Sequence, residues 1–510
     1  MHHVLLNPHH RLQKSPRKVQ RPGEKEMDTD GSVSLIPKQR PSMWMAVSAT
    51  LIAACGSFEN GACSGYSSPT ESAIISDLEL TTSQYSVFGS LLTVGGMIGA
   101  IGSGPLADYV GRKWAMRISS ALCVAGWIFI MLSQYYFFVL LMWERFNMLQ
   151  QHAWSLDVGR FCTGVGIGIC SYVVPVYMAE IAPKELRGRL MVSSQLMLAL
   201  GMTMAYLLGI VVGWRVLTLL GIFPCFVQLI GLFFVPESPR WLAKIGHIKE
   251  FEIALQRFRG KDADIHDEAM EILDTIASSA ILPQARIRDL FQRQYTRPLL
   301  VGIGLMALAN LNGASAIQYY ASDIFVSAGF SSGDLGTILL AAMQVPLAIL
   351  VGLLLDRIGR KPLMLFGAAG TCLGCFMAGA SFLLKEHEGA STLVLAMNLT
   401  GIMIYGAFYV LGMSGLPWVI ISEIFDLKIK AIAGGFASMV TWLASWLVSY
   451  TYSYLESWSA AGTFFIYSGV CAVTFLFVIK LVPETKGRTL EEIHESMSSH
   501  GKHGSNATVL

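Results

Sequence analysis

Long apolar stretches alternate with short charged gaps from about residue 43 to residue 482. Residues 91–105, 192–212 and 340–355 carry no charged side chain at all. Such runs approach the roughly 20 residues a helix needs to cross a bilayer. The pattern predicts twelve spans, near 43–66, 84–106, 114–133, 157–177, 190–212, 214–235, 298–320, 333–355, 362–384, 394–422, 432–454 and 462–482. Six lie on each side of a polar segment, 236–297. Within it, residues 251–258 and 268–276 place apolar side chains at helical spacing among charges, which predicts short amphipathic helices and not a separate catalytic domain. Residues 1–41 are polar, with His pairs, Lys/Arg and Pro and no apolar signal core, and read as a disordered tail; 483–510 form a second tail. The expected domains are therefore the 1–41 tail, a first bundle 42–235, the 236–297 linker, a second bundle 298–482 and the 483–510 tail.

Charge then orients the spans. Gaps after the even-numbered spans hold Arg112, Lys113, Lys184, Arg187, Arg189, Arg357, Arg360, Lys361 and the basic middle segment. The opposite gaps hold Glu71, Asp77, Glu79, Asp323 and Asp334, with only Arg145, Arg215 and Lys385. By the positive-inside rule the first set, with both termini, is cytoplasmic. One stretch breaks the alternation. Residues 135–153 begin apolar, then carry Glu144, Arg145 and His152, and have no second-half counterpart. They read as an insertion, either an interfacial helix or an outward extension of span three.

Composition adds exclusions. The chain is 53% hydrophobic and 14% charged, against roughly 25% charged in a soluble domain. A net charge of +2, with no basic face interleaved with aromatics, gives no sign of nucleic-acid binding. Cys372 and Cys375 form a CxxC inside an apolar span without nearby histidines, which reads as packing rather than metal or redox chemistry. Asn398 and Asn506 head N-x-T triplets, but one is in a span and the other on the cytoplasmic tail. No metal or cofactor is expected, and no nucleophile–base pair suggests an enzyme.

Three motifs recur in order and at nearly constant separation. Asp108-Tyr-Val-Gly-Arg112-Lys113 returns as Asp356-Arg-Ile-Gly-Arg360-Lys361, Glu180 with Arg187 returns as Glu423 with Lys430, and Val235-Pro-Glu-Ser returns as Val482-Pro-Glu-Thr. One recurrence means little, but three in register indicate a duplicated unit. A duplicated membrane unit commonly places a substrate path between its halves near the bilayer midplane, so a transporter is expected.

These motifs, with Gly159-Arg160-x3-Gly164, Pro175-Val-Tyr-Met-Ala-Glu180-Ile-Ala-Pro183-x3-Arg187-Gly188, Pro236-Glu-Ser-Pro-Arg-Trp241, Leu416-Pro417-Trp418 and Pro483-Glu-Thr-Lys486-Gly487, resemble the sugar-porter family of the major facilitator superfamily. Gly65-Tyr-Ser-Ser-Pro-Thr70, Tyr85-Ser-Val-Phe-Gly-Ser90 and Thr489-Leu-Glu-Glu-Ile493 resemble its plant early-responsive-to-dehydration-like branch. The resemblance implies an all-α membrane protein with twelve transmembrane helices in two pseudo-symmetric six-helix bundles. It also implies monosaccharide transport by alternating access, passive or with protons as partner.

The resemblance points to Gln195, Gln344 and Trp418 as sugar contacts. Buried polar groups in a span are costly unless paired, hence functional suspects. Helix–helix hydrogen bonding for the glutamines, and packing for Trp418, are the alternative readings. The family's glutamine pair and later asparagine in span seven fall here at Ala309, Asn310 and Ser315; Thr441 and Ser445, beside Trp442, replace asparagines in span eleven; Val410 replaces a polar residue in span ten. The expected site is Gln195, Asn310, Ser315, Gln344, Trp418 and Thr441. Each lost hydroxyl partner costs roughly 1–3 kcal/mol, so the losses imply a changed substrate, weak affinity or little transport.

Arg side chains can bridge carboxylates bidentately. Asp108, Arg112, Glu180, Arg187, Asp356, Arg360, Glu423 and Lys430 are thus a candidate cytoplasmic latch, against the simpler reading of topology and solubility. Lys430 stands for the family's arginine and Asp426 for its proline, which suggests a looser second half. Gly164, Gly166 and Gly168 form a GxGxG without the preceding strand of a nucleotide site, so close helix packing is expected. Proton-coupled members carry an aspartate where this chain has Cys63. Glu59 lies one turn earlier on the same face, and with Arg160 it is a candidate coupling pair or a static ion pair. Facilitated diffusion is the principal expectation, with a proton-coupled carrier and a non-transporting sensor or defective paralogue as alternatives. Neither the sugar nor the choice of plasma or vacuolar membrane follows from the sequence.

Overall fold

In a bilayer every backbone N–H and C=O must be satisfied within its own segment, so apolar stretches of this length fold as helices. The computed structural model describes residues 44–134, 151–183, 186–281, 287–292, 295–389, 391–425 and 429–486. The 1–41 tail, most of the 135–153 stretch and Asn506 lie outside these residues.

The first half comprises α1 (Trp44–Leu78), α2 (Thr82–Val110), α3 (Arg112–Met131), α4 (Gln151–Ile181), α5 (Arg187–Val211) and α6 (Trp214–Phe234). Three linker helices follow, α7 (Pro239–Lys244), α8 (Ile248–Arg259) and α9 (His266–Ile281). The second half comprises α10 (Thr296–Leu311), α11 (Ala314–Tyr319), α12 (Ala321–Ala328), α13 (Asp334–Ile358), α14 (Arg360–Glu388), α15 (Thr392–Gly412), α16 (Leu416–Ile424), α17 (Lys430–Trp458) and α18 (Ala460–Leu481). Among the described residues, 11 helical stretches are long and apolar enough to cross a membrane, α10–α11 and α15–α16 each forming one. The 35-residue α1 has the length but interleaves Ser, Thr, Gly and Glu.

The duplication is visible in the packing. In the first half α3 packs on α4 and α6, and in the second α14 packs on α15 and α18. Contacts between the halves run through α2 with α17, α5 with α13, and α1 with α11 and α12.

Small residues bring backbones together where lipid supplies no hydrophobic drive. A Cβ on Gly99 of α2 would sit 2.2 Å from the Val165 carbonyl oxygen, and one on Gly164 of α4 would sit 2.4 Å from that of Leu92. Gly168 faces Gly96 of α2 and Gly166 faces Cys123 of α3 in the same way. The GxGxG of α4 is therefore a packing surface on two sides.

Two long helices break. Between α10 and α11, Asn312 Oδ1 accepts the Ala314 N–H at 3.1 Å. Between α15 and α16, residues 413–415 leave helical geometry ahead of Pro417. Tertiary contacts re-satisfy such freed backbone only where it is buried in protein or faces a cavity. In the linker, α8 buries Phe251, Ala254, Leu255 and Phe258. Arg259 ties its end both to Glu268 of α9 and to the Ile181 carbonyl at the end of α4.

Candidate functional site

A cavity of about 130 Å³ lies between the halves, lined from the first by Gln195, Leu198, Ala199, Met202 and Tyr206 of α5. From the second half come Gln318 of α11, Gln344 of α13, Tyr405 and Tyr409 of α15, and Ser414 in the break before α16. At about 10–15 Å³ per water-sized position, the space holds roughly ten such positions.

Its polar equipment is unevenly engaged. Among the described residues, the side-chain amides of Gln195 and Gln318 make no hydrogen bond to the protein. Gln344 donates only to the Met202 thioether, 3.1 Å away, a weak acceptor. Tyr206 donates to the Gln318 carbonyl at 2.6 Å, joining the halves. Tyr405 donates to Asn312 Oδ1 at 3.0 Å and stacks on Tyr409 with centroids 6.0 Å apart. Free amides suit sugar hydroxyls, and the Tyr409 face suits a C–H surface.

Of the six expected contacts, Gln195 and Gln344 line this cavity, as does Val410. Asn310, Ser315, Trp418 and Thr441 are not among its lining residues. Asn310 spends its amide on the Met306 carbonyl (2.8 Å) and on Ser445 (3.2 Å). Thr441 bonds back to the Ala437 carbonyl at 2.9 Å, and Ser315 is buried. Trp418 is 37% exposed on α16. Trp442 instead packs from α17 onto Gly96 of α2. The polar lining residues missed from sequence are Tyr206, Gln318, Tyr405, Tyr409 and Ser414. Tyr206 shares a 3–4 residue spacing with Gln195, Leu198, Ala199 and Met202, a face signal legible in retrospect.

Glu59 and Arg160 are both buried, but no ion pair joins them among the described residues. Glu59 Oε1 accepts from Trp127 and from Cys63, the latter at 3.2 Å. Arg160 donates to Ser67 and lies over the rings of Tyr66 and Phe88, at 5.7 and 5.1 Å.

The repeated motifs converge at one end of each half. Gly111 and Gly359 adopt φ of 90° and 103°, a region that glycine alone enters freely, and so permit the tight turns into α3 and α14. Glu237 of the first Pro-Glu motif accepts the Lys113 N–H at 3.1 Å. Glu484 of the second accepts those of Arg360 at 3.2 Å and Lys361 at 3.1 Å. Each carboxylate thus caps a helix N-terminus. Burial pushes the Glu237 carboxyl up from its ordinary value, against the downward pull of the Ser238 and Lys113 amides.

Beside these caps, Arg112 forks onto both oxygens of Glu180, at 2.9 Å each, and reaches Asp108 at 3.1 Å. Lys244 meets Asp108 at 2.9 Å, and Ser238 donates to Glu180 at 2.6 Å. Among the described residues the second copy is sparser. Arg360 touches Glu423 once, at 3.3 Å, while Glu423 Oε2, Arg360 Nε and the hydroxyl of Thr485, the counterpart of Ser238, are buried without partners among the described residues. Among the described residues, neither cluster reaches across to the other half. The side chains of Arg187, Asp356 and Lys430 lie outside the described residues.

At the opposite end the halves touch directly. Ser83 pairs with Tyr454 at 3.1 Å and Ser86 with Ser453 at 2.8 Å. Ser68 accepts the Ser322 N–H at 2.9 Å, and Tyr320 stacks on Tyr452 at 4.8 Å beside Tyr85. The cavity is thus closed away from the motif end.

Comparison with known proteins agrees with this architecture. The profile of the family described as Sugar (and other) transporter matches residues 43–497. The chain is 48% identical over 452 residues to Sugar transporter ERD6-like 16 of Arabidopsis thaliana, covering 89% of this chain and 90% of the relative. It is 49% identical over 450 residues to Sugar transporter ERD6-like 7 of the same plant, covering 88% and 93%. In structure it resembles the xylose transporter XylE from E. coli in a partially occluded inward-open conformation, with TM-score 0.71, 25% identity, and coverage of 87% of this chain and 99% of that one. The inward-open conformation of XylE gives TM-score 0.73 at 24% identity, covering 88% and 99%. Duplicated helical halves, a cavity between them and these relatives together show that the chain belongs to the sugar transporter family of the major facilitator superfamily, as a multi-pass integral membrane carrier and not an enzyme.

Proposed function

We propose that the chain carries a hexose-like monosaccharide down its gradient by alternating access. The observation that supports this reading most is the cavity, lined from both halves and presenting the unengaged amides of Gln195 and Gln318 near the Tyr409 ring. Gln195 and Gln344 contact the sugar from the first half and the second. Asn310, Ser315 and Trp418, set back from the lining, enter the site as the helix breaks at 312–313 and 413–415 flex, and Thr441 enters as α17 moves with its half. With the Lys/Arg-rich motif end on the cytoplasmic side, the closed far end gives a carrier facing the cytoplasm. Asp108, Arg112, Glu180, Arg187, Asp356, Arg360, Glu423 and Lys430 act as the latch: the Arg112–Glu180 and Arg360–Glu423 pairs hold within each half here, and the two clusters meet across the motif end when the carrier turns outward.

Glu59 supports a second reading, proton coupling, because it is a buried carboxylate with one unpartnered oxygen. The absence of an ion pair to Arg160 among the described residues favours the passive carrier. Reconstituted protein should show saturable uptake of labelled hexose that equilibrates at equal concentrations whatever the imposed pH gradient. Uphill accumulation abolished by Glu59→Gln would establish symport instead, and hexose binding without flux would identify a sensor.

A further inference from the structure

Helices α1, α3 and α6 meet around side chains that passive transport leaves unused. A carboxylate oxygen of Glu59 and the Sγ atoms of Cys123 and Cys225 all lie within 4.8 Å of one another, and all three residues are buried. Glu59 presents them asymmetrically. Its Oε1 takes Trp127 Nε1–H and Cys63 Sγ–H and the Cys225 thiol also faces the carboxylate, whereas Oε2 is buried without a hydrogen bond of ordinary geometry among the described residues. A buried acceptor left bare in a native fold calls for an occupant.

The donor set says which kind. Two thiols with one carboxylate form a soft-leaning site, suited to a d¹⁰ divalent ion of the zinc class rather than to magnesium or calcium. Zinc–sulfur distances of about 2.3 Å and zinc–oxygen distances of about 2.0–2.2 Å put tetrahedral ligand atoms roughly 3.4–3.8 Å apart. From separations of at most 4.8 Å, the ligand atoms close onto an ion by drawing together by no more than about 1–1.4 Å. Charge also balances. Two thiolates and a carboxylate bring three negative charges, and the ion brings two positive ones. The third is supplied by Arg160, 0% exposed and with Nε and Nη1 unpartnered. It lies in the same half, separated from this group by the rings of Tyr66 and Trp127, whose centroids are 5.0 Å apart.

We propose that Glu59, Cys123 and Cys225 form a binding site for a thiophilic divalent cation of the zinc class inside the first half. Glu59 Oε2 is the oxygen ligand, while Trp127 and Cys63 hold the other oxygen and fix the carboxylate's orientation. Binding releases the two thiol protons of Cys123 and Cys225 to solvent. All three ligands belong to one half, so the ion pins α1 to α3 and α6 without bridging the surfaces that part during transport.

Cadmium chloride is the probe, because cadmium–thiolate charge transfer absorbs in the ultraviolet. Full-length protein, purified in detergent under reducing conditions, should show a band that saturates near one equivalent. Cys123→Ser/Cys225→Ser should abolish it, and Cys372→Ser, remote from the site, should retain it. Trp127→Phe, which keeps the ring and removes the donor to Glu59, should weaken cadmium binding by about 10–100-fold and covers the case in which the double variant does not fold. No band in the wild-type protein would overturn the proposal. So would a band that survives the double substitution, or undiminished affinity in Trp127→Phe.

Discussion

Replacing Arg112 by alanine is expected to destabilise the carrier by about 3–5 kcal/mol, the usual cost of stranding one member of a buried ion pair. The side chains of Arg112 and Glu180 are only 10% and 14% exposed. Without the guanidinium, Glu180 keeps, among the described residues, the neutral donor Ser238. Arg112→Lys retains the charge but loses the planar fork, so its melting temperature in detergent should fall between wild type and Arg112→Ala. Arg360→Ala should cost less. That arginine touches Glu423 once, at 3.3 Å, and part of its desolvation is already uncompensated. Equal melting of Arg112→Ala and wild type, or a larger loss for Arg360→Ala, would contradict this ranking.

The second large effect concerns transport and should leave the fold intact. Gln195→Ala removes an amide that has no protein hydrogen bond among the described residues but borders the cavity. Its loss should appear only when substrate is present. An unmatched sugar hydroxyl costs roughly 1–3 kcal/mol, so kcat/KM for hexose uptake should fall by about 5–150-fold at unchanged melting temperature. Gln344→Ala should lower it less, because that amide already spends a donor on Met202. Unchanged saturable uptake by Gln195→Ala would remove this residue from the site.

The spans and the duplication were legible in the sequence because both follow from periodic, local constraints. Lipid demands apolar length, and the Asp-x-x-Gly-Arg-Lys, Glu and Pro-Glu motifs recur because each half builds one charged cluster from all three. Why the Pro-Glu motif travels with the other two became clear only in three dimensions. Glu237 and Glu484 cap the helices that the glycine turns begin.

Helix ends were harder. Hydropathy closes the first span near residue 66, yet α1 continues to Leu78. Ser67, Ser68, Thr70 and Glu71 are buried, some beneath the second half, as Ser68 is by Ser322. Span seven reads as a continuous apolar run, although Asn312 breaks it, whereas the break in span ten is expected at Pro417 and falls at residues 413–415 just before it. In the cavity, Gln195 and Gln344 stood out as amides in apolar helices. Tyr405 and Tyr409 did not, since a tyrosine in a span is more often packing, and only the assembled halves show which face it presents.

Alternating access requires the contacts at the closed end to part in every cycle. Ser86 and Ser453, whose hydroxyl oxygens are 2.8 Å apart across the two halves, are placed to test this. In reconstituted Ser86→Cys/Ser453→Cys protein, oxidation should abolish hexose flux and reduction should restore it, while wild-type protein under the same oxidant keeps its rate. A fully cross-linked protein that still carried sugar at the wild-type rate would contradict a carrier that works by opening this end.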